Sequence, residues 1–194
     1  MKLFSPKFKT LFNHAISILL FTNALVRLSN GMLTPIYALF VISIGGNLLD
    51  ASLSGGVFAL VAGLTSLVSG KLADELKESE LMLVIGYLIM SFGYLLFFFT
   101  RTIPALLLAQ ALVGLGDAIY FPPFDAIYSK HAAKKMESST WSLWEAMNYF
   151  TLAIGALLGG YLVMEFGFRV IFILMAGLCF ISAAYIYFTP RKDL

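Results

Sequence analysis

The sequence predicts an all-α membrane protein of six transmembrane helices with both termini on the cytoplasmic side. Three observations carry that expectation. The 194 residues are 60% hydrophobic and 12% charged, against about 45–50% apolar and about 25% charged in soluble domains. Six apolar stretches each come close to or exceed the roughly 20 helical residues that span a hydrocarbon core. Lysine and arginine fall almost entirely in alternate loops. A soluble chain of this length could not hide so much apolar surface behind so few charges, whereas lipid solvates it directly. None of the stretches alternates as a barrel strand would, and lipid leaves an open backbone unsatisfied, so helices are the spanning element.

The stretches cover residues 15–44, 53–73, 81–99, 103–127, 139–164 and 168–188, and residues 1–194 are expected to form one six-helix domain. The first follows Lys2, Lys7 and Lys9, as a cleaved leader would. It continues well past a signal core of roughly 7–15 residues and lacks a good small-residue cleavage site, so it reads as a retained helix. Lys2, Lys7, Lys9, Lys71, Lys77, Lys130, Lys134, Lys135, Arg191 and Lys192 fall on one side, and Arg101 and Arg169 on the other. Positive charge stays inside, which places both termini in the cytoplasm, requires an even number of crossings, and gives a multi-pass protein of the plasma membrane. Lys130, Lys134 and Lys135 are topology determinants beside anionic lipid, and His14 and His131 are interfacial surface residues.

Ionisable groups inside a span are costly and point to function. Asn23, Arg27, Asn30 and Thr34 fall at i, i+4, i+7 and i+11 in the first stretch, a narrow stripe on one helix face. Arg27 lies near mid-span, where insertion costs roughly 2.5–3.5 kcal/mol, so this face must meet a polar partner or water. Gln110, Gly114, Asp117, Phe121 and Tyr128 share a side of the fourth stretch. Arg27 and Asp117 are expected at similar depth, interacting directly or through water. Two readings stay open: a structural ion pair locking two helices, and a pair lining a substrate or ion path. Gly31 with Pro35, and Pro122 with Pro123, weaken the helical ladder, so both helices should bend or unwind where they border a cavity.

Gly55, Ala59, Gly63, Ser66 and Gly70 in the second stretch, and Gly155 and Gly159 in the fifth, suit close helix packing. The third and sixth, with aromatics at 97–99 and 185–188, read as lipid-facing. Ser138, Ser139 and Thr140 are candidate caps of the fifth helix. Glu145 follows about two turns on, either favoured by the helix dipole or acting as a gate contact. The lone Cys179 excludes a disulfide framework and reads as a buried, inert thiol. No metal-ligand cluster, nucleophile–base pattern or thiol pair occurs, so no enzyme, catalytic residue, cofactor or nucleic-acid partner is expected.

Three motifs resemble the major facilitator superfamily of secondary transporters. Gly70-Lys-Leu-Ala-Asp74 is similar to the loop signature between its second and third helices. The glycine and aspartate carry over, while Glu75, Glu78 and Glu80 stand where a basic cluster would follow. Gln110-Ala-Leu-Val-Gly114-Leu-Gly116 resembles a fourth-helix pattern, with Gln110 in place of its arginine. Residues 154–160 with Gly167, Arg169 and Phe172 are similar to its fifth-to-sixth helix stretch. The resemblance implies the amino-terminal half of a transporter: a six-helix bundle of two inverted three-helix repeats, whose first and fourth helices line a central cavity.

On that footing the expected function is secondary transport of a small molecule by alternating access, two copies forming a homodimer in the bilayer. Asn23, Arg27, Asn30, Thr34, Gln110, Asp117 and Phe121 would line the cavity. Gly70, Asp74, Glu145, Gly155 and Gly159 would serve gating and the interface. Arg27 suits an anionic group and the aromatics an amphipathic molecule, while proton coupling through Asp117 or Glu145 stays open. The alternative is a non-transporting scaffold, or a half-subunit that needs a different partner chain.

Overall fold

The computed structural model describes residues 12–76, 78–133 and 135–191. Six membrane-length helices run His14–Ser43, Leu48–Glu75, Glu80–Phe99, Ile103–His131, Glu137–Phe166 and Phe168–Phe188, and no strand occurs among the described residues. The shortest has 20 residues, which at 1.5 Å per residue rises about 30 Å, the thickness of a hydrocarbon core. Lys2, Lys7, Lys9, Lys77, Lys134 and Lys192, which carry part of the orientation argument, lie outside the described residues.

Capping sets where several helices begin. The second starts at Leu48 rather than residue 53 because Asn47 accepts hydrogen bonds from the backbone of Leu49 and Asp50, while the Asp50 carboxylate accepts from the Asn47 N–H at 2.8 Å. These polar residues lower local hydropathy yet stabilise the helix start. The fifth starts at Glu137 with Met136 at the N-cap position. Ser138, Ser139 and Thr140 therefore occupy its first turn instead of capping it.

The two proline sites behave differently. The first helix is broken: an α-helix over His14–Leu33, a 3-10 turn over Thr34–Ile36 and an α-helix over Tyr37–Ser43. Pro35 lies in that turn, and both the N–H and Oγ1 of Thr34 bond to the Asn30 carbonyl. The fourth helix continues unbroken through Pro122 and Pro123, so no unwinding occurs there. Pro122 leaves the Ala118 carbonyl, one turn back, without its usual N–H donor. Ser69 Oγ of the second helix donates to that carbonyl at 2.6 Å and removes the need to unwind.

Helix pairing follows a two-repeat scheme. The second helix packs on the fourth and the fifth on the first; the third packs on the fourth and the sixth on the first; the third and sixth meet each other. Exchanging helices one to three for four to six leaves this scheme unchanged. Glycines stand at equivalent crossings. A Cβ on Gly114 would come 2.6 Å from the Phe58 carbonyl oxygen, and one on Gly31 would come 3.1 Å from Leu152 Cα. Gly86 and Gly116 face each other where the third helix crosses the fourth, each 2.7 Å from the other's carbonyl oxygen once a Cβ is added.

The third helix is a core element and not lipid-facing on all sides. Tyr87, Tyr94 and Phe97 are buried, and Phe97 joins an aromatic cluster with Phe40 and Phe172. Phe92 and Phe99 of the third helix and Phe180, Tyr185, Tyr187 and Phe188 of the sixth point outward. The second and fifth helices expose the most, presenting Leu60, Leu64 and Leu67 on one and Leu157, Tyr161 and Met164 on the other. At one end of the bundle, Asn13 Nδ2 donates to the His131 carbonyl at 2.8 Å and Arg191 pairs with Glu78 and Glu80. Both described ends of the chain and the loops after the second and fourth helices thus share one face.

Candidate functional site

The first and fourth helices are held apart by their separate neighbours and meet only slightly, leaving a concave side to the bundle. Two hollows open there. One, of about 270 Å³, is lined by Asn30, Thr34, Tyr37, Tyr94 and Gln110 among others. The second, of about 310 Å³, is lined by Arg27, Asn30, Thr34, Trp144, Asn148 and neighbouring apolar surface. Asn30 and Thr34 border both, so the hollows adjoin along the first helix as a largely apolar trough with a few polar residues in its wall.

Three residues of the first-helix stripe, Arg27, Asn30 and Thr34, therefore reach the open side. Asn23 does not line the trough. It is fully buried, and its Oδ1 accepts a hydrogen bond from the Trp144 indole at 3.2 Å, tying the first helix to the fifth. Asn30 is fixed by the Tyr94 hydroxyl, which donates to its Oδ1. Tyr37 and Ser54 share a 2.5 Å hydroxyl contact at the side of the trough.

Arg27 is held by rings rather than by a carboxylate. Its guanidinium lies 5.4 Å from the Phe121 ring centre and 5.8 Å from that of Trp144, each contact worth about 0.5–2 kcal/mol. Asp117 forms no ion pair with it: the pairs between described residues are those of Arg191. Asp117 nevertheless lies near enough for its charge to act on Arg27. The expected direct contact is thus a longer-range attraction, because the aromatic rings occupy the guanidinium faces. Arg27 Nε, Asn23 Nδ2 and the hydroxyls of Tyr87 and Tyr120 are buried without a well-aligned hydrogen bond, although both hydroxyls approach Asn23 and that of Tyr120 approaches Asp117. Buried polar atoms are normally satisfied by protein or water, so this donor-rich patch behind the trough is a place for bound water.

The sequence reading passed over Asp125. One of its oxygens is buried and unpartnered, and its charge also acts on Arg27. An acid inside the fourth apolar stretch was the available signal. Tyr37, Tyr94, Trp144 and Asn148 were missed for a different reason: no local pattern shows that they meet the stripe on another helix.

The residues expected to gate or form an interface divide into two groups. Gly155 and Gly159 pack within the chain: a Cβ on Gly155 would stand 2.8 Å from the Leu28 carbonyl oxygen, and Gly159 abuts the backbone of Met32. Their smallness is consumed by the first-to-fifth helix contact. Asp74 and Glu145 are exposed, and Gly55, Gly63 and Gly70 have open space where a Cβ would go, so these second-helix glycines serve no close crossing within the chain. Among the described residues no cluster of His, Cys, Asp or Glu could hold a metal ion.

Residues 19–194 match the family model of the Major Facilitator Superfamily. The chain is 26% identical over 183 residues to an uncharacterized MFS-type transporter of Methanocaldococcus jannaschii, covering 91% of this chain and 45% of that protein. It is 25% identical over 175 residues to the multidrug resistance protein MdtG of Salmonella schwarzengrund, covering 88% and 43%. The chain thus spans about half the length of these relatives. The crystal structure of the peptide transporter POT in complex with sulfate shares the fold, with a TM-score of 0.74 at 20% identity, covering 92% of this chain and 38% of that one.

Proposed function

Because this chain belongs to the major facilitator superfamily, we propose that its six helices form one wall of an alternating-access secondary transporter. The observation that carries this reading is the pair of adjoining hollows on which Arg27, Asn30 and Thr34 open. A merely structural arginine would be sealed into the bundle, since an exposed charge at membrane depth is tolerated only beside water or protein.

A second copy of the bundle closes the trough in this proposal, as a two-fold homodimer in the plasma membrane. The poorly buried second and fifth helices support it, since their outward faces would flank the second wall. The described ends lie on the cytoplasmic side, a reading supported by the lysine bias between loops. Asp74 of one copy faces the first turn of the fifth helix of the other, near Ser138, where the helix dipole favours a carboxylate. Proton coupling runs through Asp117, which loses its counter-charge whenever substrate engages Arg27.

Two measurements test this together. Native mass spectrometry from lipid nanodiscs should give a predominant dimer. With Cys179 replaced by alanine, a Thr34→Cys variant should react with a water-soluble maleimide. A persistent monomer refutes the homodimer, and an unreactive Thr34→Cys in folded protein refutes the hydrated trough.

A further inference from the structure

We infer that the trough takes amphipathic organic anions, with Arg27 contacting the anionic group; this rests on the transport reading above. Arg27 lines the second hollow, the first carries no charged residue, and neither Asp117 nor Asp125 borders either one. A molecule entering the second hollow therefore meets a cation in its wall and no carboxylate.

Among the neutral polar groups Asn148 Oδ1 is an unpartnered acceptor at the second hollow, so the full charge of Arg27 decides the polarity. The Arg27 guanidinium makes no ion pair with a described residue, so its charge at the second hollow is not neutralised by direct contact with a carboxylate. Asn30 Oδ1, the acceptor that would otherwise attract an ammonium, already takes the Tyr94 hydroxyl proton. The Trp144 indole N–H is spent on Asn23, leaving its ring to present apolar surface beside the guanidinium. Tyr149 and Leu152 extend that apolar side, and Phe58, Phe97 and Met175 line the other hollow. An anionic head beside Arg27 and an apolar body along these walls fit the two halves of the trough. A cation would have to displace Arg27 or reach past it, at a repulsive cost in a low-dielectric site.

The two tryptophans of the chain, Trp141 and Trp144, lie 5.6 Å apart by ring centres at this site, so tryptophan fluorescence reports its occupancy directly. Wild-type protein in nanodiscs of neutral lipid would be titrated with 4-butylbenzenesulfonate and, separately, with (4-butylphenyl)trimethylammonium. One charge-assisted hydrogen bond predicts that the sulfonate binds at least about tenfold tighter. Arg27→Gln should abolish that preference, whereas Arg27→Lys should retain it at lower affinity. Tighter or equal binding of the ammonium, binding of neither ion, or a sulfonate preference surviving Arg27→Gln would each overturn the inference. The wild-type comparison stands even where a variant fails to fold. Because the titration needs neither dimer formation nor transport, it can fail while those succeed, and the converse also holds.

Discussion

At the residue scale the site depends on a few buried polar contacts whose loss is measurable. Tyr94→Phe removes the hydroxyl that fixes Asn30 and should cost about 1 kcal/mol of stability. Trp144→Phe strands the buried Asn23 Oδ1 and should cost more, about 1–3 kcal/mol. Reversible unfolding in mixed micelles gives both values and their order. The Arg27–Asp117 relation makes a sharper test. Breaking a buried ion pair costs about 3–5 kcal/mol, but here the guanidinium sits on rings and Asp117 acts from further away. A double-mutant cycle of Arg27→Gln and Asp117→Asn should therefore show coupling of less than about 2 kcal/mol. A value in the ion-pair range would mean that the two groups close on each other in the membrane.

At the scale of the helices, glycine spacing has two meanings that the sequence alone does not separate. Gly86 and Gly159 stand against backbone, where a methyl group forces helices apart; Gly86→Ala and Gly159→Ala should each destabilise the bundle by about 1–3 kcal/mol. Gly63 meets open space, so Gly63→Ala should leave bundle stability within about 0.5 kcal/mol. Thermal unfolding of the three variants, compared at equal lipid content, distinguishes the classes. Proline shows the same dependence on neighbours. Pro35 gives a 3-10 turn, whereas Pro122 is absorbed because Ser69 reaches the freed Ala118 carbonyl. Ser69→Ala should therefore loosen the second-to-fourth helix contact by about 1–3 kcal/mol, the cost of an unsatisfied buried acceptor.

At the scale of the whole molecule, the two-repeat pairing places the least buried helices, the second and fifth, on the flanks of the trough. Association across those flanks would bring exposed Asp74 to the partner's fifth-helix start. Asp74→Asn should then shift the balance away from the state closed at that end, by about the 0.3–1 kcal/mol of a charge–dipole contact. Distance distributions between spin labels at the two ends of the bundle read this shift. An unchanged distribution would remove Asp74 from gating. With a single label per copy, increasing lipid dilution should make the intermolecular distances vanish as copies separate, because association obeys mass action.

The sequence by itself determined the class, the number of crossings and the polar face of the first helix. Those follow from local quantities: apolar run length, helical periodicity and the cost of charge in lipid. Its resemblance motifs also pointed to the family that residues 19–194 match. Tertiary structure decided what each marked residue touches. Asn23 turns inward because Trp144 waits on the fifth helix, Gly155 and Gly159 serve an internal crossing, and Arg27 rests on Phe121 and Trp144 instead of pairing with Asp117. Such facts depend on the rotation and spacing of helices far apart in the chain. A helix period fixes which residues share a face, but only packing fixes what that face meets.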